Sequence, residues 1–335
     1  GHNEAIAVRP EVKETIDNFY KQNPEEAAKN FGENPYELKN ILKYWVREAK
    51  DGLQMIPTDS IVIKLDKEAI KRSGMMIPEG LNGEIPEYMH ISLKGKSRLY
   101  KYELMMLEML ANTNWERPIY MAITVGEDNH LNLGNNFMQE GLAYRITPFN
   151  TTALNARINS DKMYDNLMNR YKFGKIDNPD IYLDETVLRM CETHRRMFVQ
   201  LSDQLIKEGK LDKAKKALDY SLEVIPTTTV PHDYQSSMSK QMADQYILLG
   251  DTIAAQSILN DLANKSVEYL TWYLSLNDTQ LINSYDNTLR HFYMLDDITN
   301  TMARISSDEP SNKEQQEQYA DIALHYAKKF EELYR

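Results

Sequence analysis

The chain has 335 residues, of which 42% are hydrophobic and 27% are charged, a composition typical of a folded globular protein and not of a disordered or disulfide-rich one. Its 39 Lys and Arg residues and 50 Asp and Glu residues give a net charge of -11. This balance disfavours a non-specific nucleic-acid binder, because such proteins need clustered cations to neutralise phosphates. The single cysteine, Cys191, excludes an internal disulfide and any CxxC metal or redox site.

No segment of the sequence is apolar over a length that would cross a bilayer. The richest apolar run, residues 104–110, is short and contains Glu108, whereas a spanning helix needs about 20 apolar residues. The sequence begins with Gly1 and His2, which is typical of what remains when a purification tag is cleaved. We therefore expect these two residues not to be the natural start of the protein.

Residues 1–54 are predicted to form N-terminal helices. The segments 23–26 (NPEE) and 34–37 (NPYE) each place Asn at the N-cap, Pro at the first helical position and Glu at the third, which is the pattern of a helix start. After the second segment, apolar residues recur at helical spacing on one face, namely at Leu38, Ile41, Leu42, Trp45 and Ala49. We expect this face to pack against another part of the protein.

Residues 55–150 are predicted to form a small α/β domain. Short runs rich in β-branched residues, separated by Pro and Gly, are strand candidates at 61–63, 91–93, 119–125 and 142–147. An amphipathic helix is predicted between the second and third of them, starting after Ser97 and ending at residues 112–114. Strand, helix and strand in this order indicate a βαβ unit with parallel pairing of its strands.

The rest of the sequence is predicted to be mostly helical. Residues 151–182 read as a connecting segment with one short helix at 162–171, and residues 183–335 as an all-α domain. A stripe with spacings of three and four is formed by Val187, Cys191, His194, Phe198, Leu201 and Leu205. The last helix is predicted to open with a capping box at 311–314 and to pack through Tyr319, Ala323, Tyr326, Phe330 and Leu333. The predicted fold class is therefore mixed α+β, with a helical second domain.

The helical domain resembles the tetratricopeptide repeat, in which small residues let two antiparallel helices approach and a proline ends the second helix. The matching positions of the first copy are Phe198, Leu201, Ser202, Leu205, Ala214, Leu218, Ser221 and Pro226, and those of the second are Ala243, Ala255 and Leu259. Ala214 and Ala255 are 41 residues apart, whereas the repeat period is about 34, because residues 226–231 insert a loop. We predict a repeat-like domain and not a regular array.

The sequence contains no complete catalytic, metal or cofactor motif of the GxGxxG, Walker A, HExxH or GxSxG type. Cys191 and His194 lie one helical turn apart, as a nucleophile and its base would, but both fall on the apolar stripe, so we favour a role in the core. Residues 126–130 (GEDNH) offer metal ligands, although the same residue types also build turns. We predict no catalytic residue, no metal and no cofactor in this chain.

The most distinctive charge feature is the acid-free segment 90–102. It contains Lys94, Lys96, Arg98 and Lys101 at a predicted strand-to-helix turn, where backbone N–H groups and the helix dipole favour anions. Two interpretations remain open. The four residues form either a site for an anion, an acidic lipid or a partner, or an ordinary solvated helix start.

The 17 methionines and 21 tyrosines allow a ligand cleft, because Met side chains are adaptable and Tyr side chains are amphipathic. However, Met105, Met106 and Met109 fall on one predicted helix, and Met190 and Met197 fall on another. For these methionines we favour core filling. Tyrosines on a concave repeat surface remain an alternative site for a peptide.

Several long stretches of the sequence resemble one family. They include residues 51–59 (DGLQMIPTD), 114–120 (NWERPIY), 140–145 (EGLAYR) and 163–166 (MYDN). These stretches resemble the soluble C-terminal region of large Bacteroidetes membrane proteins whose N-terminal half is similar to protein O-mannosyltransferases. The resemblance covers most of the chain and is strongest from residue 50 to 190. It implies a preceding GT-C type half with many membrane spans and a lipid-linked sugar donor, and it assigns no catalytic residue to this chain.

The resemblance implies an extracytoplasmic (periplasmic) location as part of a membrane protein. The leading hypothesis is a non-catalytic module that binds or positions protein partners or substrates for an attached membrane glycosyltransferase. The implied partners are a protein or peptide and the membrane-spanning region, and not a nucleic acid. One alternative is a self-sufficient soluble enzyme or small anionic ligand binder that uses the α/β domain near Lys96, Arg98 and Glu127. A second alternative is a purely structural tail.

Overall fold

The computed structural model describes residues 5–50, 52–234 and 237–305, together with residues 317, 320, 321, 324, 325, 327, 328 and 331. The chain divides into two compact units, Gly1–Met163 and Tyr164–Arg335. Gly1 and His2, the predicted capping box at 311–314 and the predicted seam of the last helix lie outside the described residues. The division into 1–54, 55–150, 151–182 and 183–335 stays a prediction.

The first unit combines short strands and helices. Its strands are β1 Ala5–Val8, β2 Met55–Ile56, β3 Ser60–Lys64, β4 Tyr88–Ser92, β5 Arg98–Tyr100, β6 Tyr120–Ala122, β7 Phe137–Gln139 and β8 Ala143–Ile146. Its helices are α1 Lys13–Gln22, α2 Pro24–Phe31, α3 Leu38–Asn40, α4 Lys67–Arg72, α5 Lys101–Asn112 and α6 Ser160–Asp165; α6 runs across the boundary into the second unit. A π-helical segment, Ile41–Arg47, continues α3, and another, Asn166–Arg170, continues α6. The α+β class is confirmed.

The strands form three small sheets, with the orders β2-β1-β5, β3-β4 and β6-β8-β7. The predicted βαβ unit is wrong, because the strands on either side of α5 belong to different sheets. β4 pairs antiparallel with β3, and β6 pairs antiparallel with β8. Just before α5, residues that were predicted to be helical form strand β5, which pairs antiparallel with β1. Parallel pairing occurs instead between β1 and β2.

The two predicted helix starts have different outcomes. Asn23 is the N-cap of α2 and Pro24 its first residue, as predicted, although the Asn23 side chain makes no cap bond. The second helix begins at Leu38 and not at residue 35. The Asn34 Oδ1 atom accepts from the Tyr36 N–H at 3.0 Å, which closes a turn, and extended Glu37 then caps α3 and bridges to strand β3.

One hydrophobic core holds the first unit together. The predicted apolar face of the second N-terminal helix supplies Leu38, Ile41 and Leu42, which are buried together with Ile61 and Ile91 of the β3-β4 pair. α5 adds Met106, Leu107, Leu110 and Ala111 to this core. The second N-terminal helix therefore packs on the sheets, as its apolar face indicated.

The second unit is built from helices. They are α7 Glu185–Lys207, α8 Leu211–Val224, α9 Ser239–Leu248, α10 Thr252–Leu274, α11 Asp278–Asn283 and α12 Tyr285–Ile305. α7 packs on α8 and α9, and α10 packs on α9 and α12. Within the described part of the chain, no helix is both long enough and apolar enough to span a membrane.

The two helix pairs of the second unit turn in the same way. Gly209 follows α7 with φ +72° and Gly250 follows α9 with φ +78°, a left-handed conformation that favours glycine. In each turn the residue after the glycine donates its backbone N–H to a carbonyl oxygen of the preceding helix. Lys210 donates to Leu205, and Asp251 donates to Tyr246, both at 2.8 Å. α8 then ends at Val224, two residues before Pro226, as the proline predicted.

Candidate interaction surfaces

The acid-free segment 90–102, which we call the basic segment, includes the end of strand β4, a turn, strand β5 and the start of helix α5. After β4, Leu93 accepts a backbone bond from Lys96 at 2.9 Å, and Gly95 between them has φ +88°. Lys94 lies at the exposed tip of this turn, Arg98 begins β5 and Lys101 begins α5. The four cations are therefore spread over the turn, strand β5 and the start of α5, and do not converge on one helix N-terminus.

Lys96 differs from the other three cations because it is paired inside the fold. Its Nζ atom lies 2.7 Å from the Oε1 atom of Glu103, whose side chain is only 1% exposed. The Oε2 atom of Glu103 accepts from the Tyr100 N–H at 2.8 Å, so one carboxylate both anchors Lys96 and caps the start of α5. Lys94, Arg98 and Lys101 are exposed and form no ion pair with any described residue.

A cleft of about 1090 Å³ lies beside α5 in the first unit. Its apolar lining includes Ile6 of β1, Val46, Leu53 and Leu104. Its charged and polar lining includes Arg9, Glu11, Gln54 and Lys101. Lys96, Arg98 and Glu127 do not line it. The residues on which the soluble-enzyme alternative depended are therefore not brought together around this cleft.

The methionines of α5 separate into two groups. Met106 is buried, as core filling predicts, whereas Met105 is 58% exposed and Met109 is 51% exposed. Core filling is therefore wrong for these two, and also for Met190 on α7, while Met197 is buried. The apolar residues of α5 cover two sides of the helix, and only the side with Met106, Leu107 and Leu110 faces the core. A single helical stripe cannot hold so many apolar residues, which is the signal that sequence reasoning missed.

The repeat-signature residues of the second unit are buried, apart from half-buried Pro226. The fully buried positions are Phe198, Leu201, Ser202, Leu205, Ala214, Leu218, Ser221, Ala243, Ala255 and Leu259. The Oγ atoms of Ser202 and Ser221 have no hydrogen-bond partner among the described residues, so these serines act by their small size where α7 and α8 approach. The repeat-signature residues therefore contribute to the packing of the helices in the second unit.

A second cleft, of about 410 Å³, lies between α10 and α12. Tyr269 and His291 stack along it with ring centroids 4.3 Å apart, and Tyr273 lies 6.3 Å from the same imidazole. Burial lowers the pKa of His291. Polar groups also line this cleft, among them Arg290 and Asn287. Stacked aromatic rings beside amide and guanidinium groups suit a peptide ligand.

Cys191 and His194 do not form a nucleophile and base. Cys191 is 3% exposed, and burial raises the pKa of its thiol, which disfavours the reactive thiolate. The Nδ1 atom of His194 lies 2.7 Å from the carbonyl oxygen of Met190 on the same helix. In the 126–130 segment, His130 Nε2 lies 2.9 Å from the Val125 carbonyl. Among the described residues, no group of three or more His, Cys, Asp or Glu side chains could hold a metal ion.

The compact first unit has the extent of a known family domain. Residues 1–163 match the family model TMEM260-associated domain 2. The match ends at the residue where the first compact unit ends, so the matched residues include the three sheets described above, the basic segment and the cleft beside α5. No curated protein and no solved structure gives a significant match to the chain.

Proposed function

We propose that the chain is a non-catalytic, extracytoplasmic module of a membrane protein. In this role it binds or positions protein partners or substrates for an attached glycosyltransferase of the protein O-mannosyltransferase type. The observation that carries the proposal is the match of residues 1–163 to a TMEM260-associated domain. The resemblance to Bacteroidetes membrane proteins, stated above on residues 51–59, 114–120 and 140–145, supports the same assignment and its periplasmic side.

The second unit is proposed to supply the partner-binding function. Its two helix pairs support a repeat-like interpretation, because Gly209 and Gly250 form the same turn and lie at the same offset as Ala214 and Ala255. Helical repeats bind peptides along surfaces formed by successive helices. The cleft beside Tyr269 is the aromatic site of this unit that best suits such a peptide.

The test uses the full-length parent protein in its native cells. Tyr269→Ala combined with Arg290→Ala removes an aromatic face and a cation from the α10–α12 cleft, and Tyr182→Ala combined with Arg189→Ala is the matched control at exposed positions of the same unit. The measurement is the sugar occupancy of exported proteins by mass spectrometry, at equal amounts of the parent protein. We expect occupancy to fall in the cleft variant and to stay unchanged in the control.

Two outcomes contradict the proposal. Equal occupancy in the wild type and the cleft variant removes the α10–α12 cleft as the substrate site. If deletion of residues 164–335 lowers only the amount of the parent protein, and not the occupancy per molecule, the second unit is a structural tail and not the partner-binding part. Neither outcome depends on a catalytic group in this chain, because the proposal assigns none.

A further inference from the structure

An exposed apolar surface lies on the outer side of β5 and α5. Tyr100 is 44% exposed, Tyr102 46%, Met105 58% and Met109 51%. Side chains alternate along a strand, so Arg98 and Tyr100 lie on one side of β5 while Leu99 between them is buried. Residues three and four apart share a helix face, which places Tyr102, Met105 and Met109 together on α5. We call the residues Arg98, Tyr100, Lys101, Tyr102, Met105 and Met109 the β5–α5 face.

An aromatic contact joins the strand part of this face to its helical part. The rings of Tyr100 and Tyr102 stack with their centroids 6.3 Å apart and an interplanar angle of 4°. Apart from Lys101, none of the residues of the β5–α5 face lines the neighbouring cleft. The tyrosines and methionines are therefore exposed at the surface of the unit and do not form the walls of this cleft.

The charged residues of the face itself, Arg98 and Lys101, are both positive, although the chain as a whole has a net charge of -11. Both acidic residues of α5 are neutralised by a cation: Glu103 is buried and bonded to Lys96, and Glu108 accepts from Arg47 Nη1 at 2.9 Å. Arg98 and Lys101, with Lys94 at the nearby turn, have no ion pair with a described residue. The face thus combines unpaired cations with large apolar side chains.

We propose that the β5–α5 face binds the surface of a lipid bilayer that contains anionic phospholipids. Tyr side chains place a ring in the interface and a hydroxyl in water, and the long stems of Lys and Arg let their charges reach headgroups while the apolar groups insert. Cations near an anionic leaflet are attracted to it, and flexible Met side chains adapt to a fluid surface. A bilayer is favoured because the exposed apolar side chains of this face lie beside cations that have no ion pair with a described residue, a combination that an anionic leaflet complements.

This inference goes beyond the proposed function and is tested without any glycosyltransferase or partner. The purified chain is mixed with vesicles of phosphatidylcholine alone, or of phosphatidylcholine with about 30 mol% phosphatidylglycerol, and the bound fraction is measured by flotation. We expect binding to the anionic vesicles at low ionic strength, binding at least about tenfold weaker to the neutral vesicles, and release by salt.

Two variants separate the electrostatic and apolar contributions. Arg98→Glu combined with Lys101→Glu is expected to weaken partition into anionic vesicles by at least about tenfold. Met105→Gln combined with Met109→Gln keeps the charges and is expected to weaken it by about tenfold, because two apolar side chains are lost from the interface. Lys172→Glu with Lys175→Glu, and Leu248→Gln with Ile253→Gln, are controls at exposed positions of the second unit and should partition like the wild type.

Several results would overturn the inference. They are no flotation with anionic vesicles, equal effects of the control variants, or full binding by the Met105 and Met109 variant, which would mean simple charge adsorption. Analytical ultracentrifugation of the chain without lipid is a further check. A dimer that dissociates on the Met105→Gln and Met109→Gln changes would assign the face to a second copy of the chain and not to lipid.

Discussion

The Nη2 atom of Arg195 lies 2.6 Å from the carbonyl oxygen of Val230, in the interior of the second unit. The same guanidinium donates to the carbonyl oxygens of Ile225 at 2.8 Å and Pro231 at 3.1 Å. Arg195 is fully buried and forms no ion pair with a carboxylate of a described residue. Burial lowers its pKa to about 10. One buried cation on α7 therefore fixes the loop that follows α8 through its backbone carbonyls.

Arg195→Met tests this anchoring role. The change leaves buried carbonyl oxygens without a hydrogen-bond donor, which destabilises the folded unit. Removal of the buried charge offsets part of this loss. We therefore expect the free energy of unfolding to fall by about 2–4 kcal/mol. Arg189→Met, on the same helix, removes an exposed arginine whose partner Glu185 is also exposed, and should change stability little. Urea unfolding followed by far-ultraviolet circular dichroism, which reports the long helices of the second unit, measures the loss; equal midpoints for the two variants would contradict the role.

The Arg195 anchor shows what the sequence could predict in the helical unit. The inserted loop at residues 226–231 was readable from the prolines and from the 41-residue offset between Ala214 and Ala255. The helices were readable from their apolar periodicity. The role of Arg195 could not be predicted from the sequence, because an arginine inside an apolar helix pattern is usually an exposed residue. Its carbonyl partners also lie 30 to 36 positions away along the chain.

His232 gives the second unit a predictable pH dependence. Burial, with the charges of Arg195 and Lys265, lowers the pKa of this imidazole to about 3. In the unfolded chain a histidine binds a proton below pH 6.5 or so, whereas the folded unit holds His232 neutral. Its contribution to stability is therefore complete above about pH 6.5 and is lost as the pH falls toward about 3.

His232→Gln should remove that contribution. In the wild type, His232 alone should make the free energy of unfolding about 2–3 kcal/mol smaller at about pH 4.5 than at about pH 7.5. In the variant this difference between the two pH values should be smaller by the same amount. The glutamine is chosen because it can still bond Ser239, whose Oγ lies 2.9 Å from His232 Nδ1. His194→Gln, at a partly exposed position of α7, serves as the comparison. An unchanged pH difference in the His232 variant would exclude this source of acid sensitivity.

In the first unit, the sequence predicted a cluster of cations but not which of them is paired inside the fold and which remain exposed. Four candidate strand runs lie in or next to β3, β4, β6 and β8, because β-branched residues fit a pleated surface. Pairing partners could not be read from those runs, since register and sheet order depend on contacts distant in sequence. For the same reason the basic segment appeared uniform, whereas Lys96 turns inward to Glu103 and Lys94, Arg98 and Lys101 remain outside.

Substitutions at Lys96 and Lys94 compare the contribution to stability of the paired lysine with that of an exposed one. Lys96→Met leaves the buried Glu103 carboxylate without its cation, so we expect the first unit to lose about 3 kcal/mol of stability. Lys94→Met removes an exposed charge two residues away and should change stability by less than about 0.5 kcal/mol. The double variant Lys96→Met/Glu103→Gln should be more stable than Lys96→Met alone, because the uncompensated buried charge is gone. Equal effects of Lys96→Met and Lys94→Met in denaturant unfolding would show that the pair is not structural.

Gly32 and Gly52 form a matched pair for testing the packing of the N-terminal helices. Both have a positive φ, +81° and +83°, and Gly32 also has ψ 172°, a combination that glycine alone adopts readily. A Cβ on Gly32 would overlap the Asn40 side chain, whereas a Cβ on Gly52 would meet nothing within 4 Å. Asn40 cannot move away freely, since its Nδ2 atom donates to the Asn34 carbonyl at 2.8 Å. Gly52→Ala should cost about 1 kcal/mol from backbone strain, and Gly32→Ala should cost at least about 1 kcal/mol more from the overlap. Thermal unfolding of the two variants measures the difference; equal losses would mean that Asn40 gives way without losing its bond.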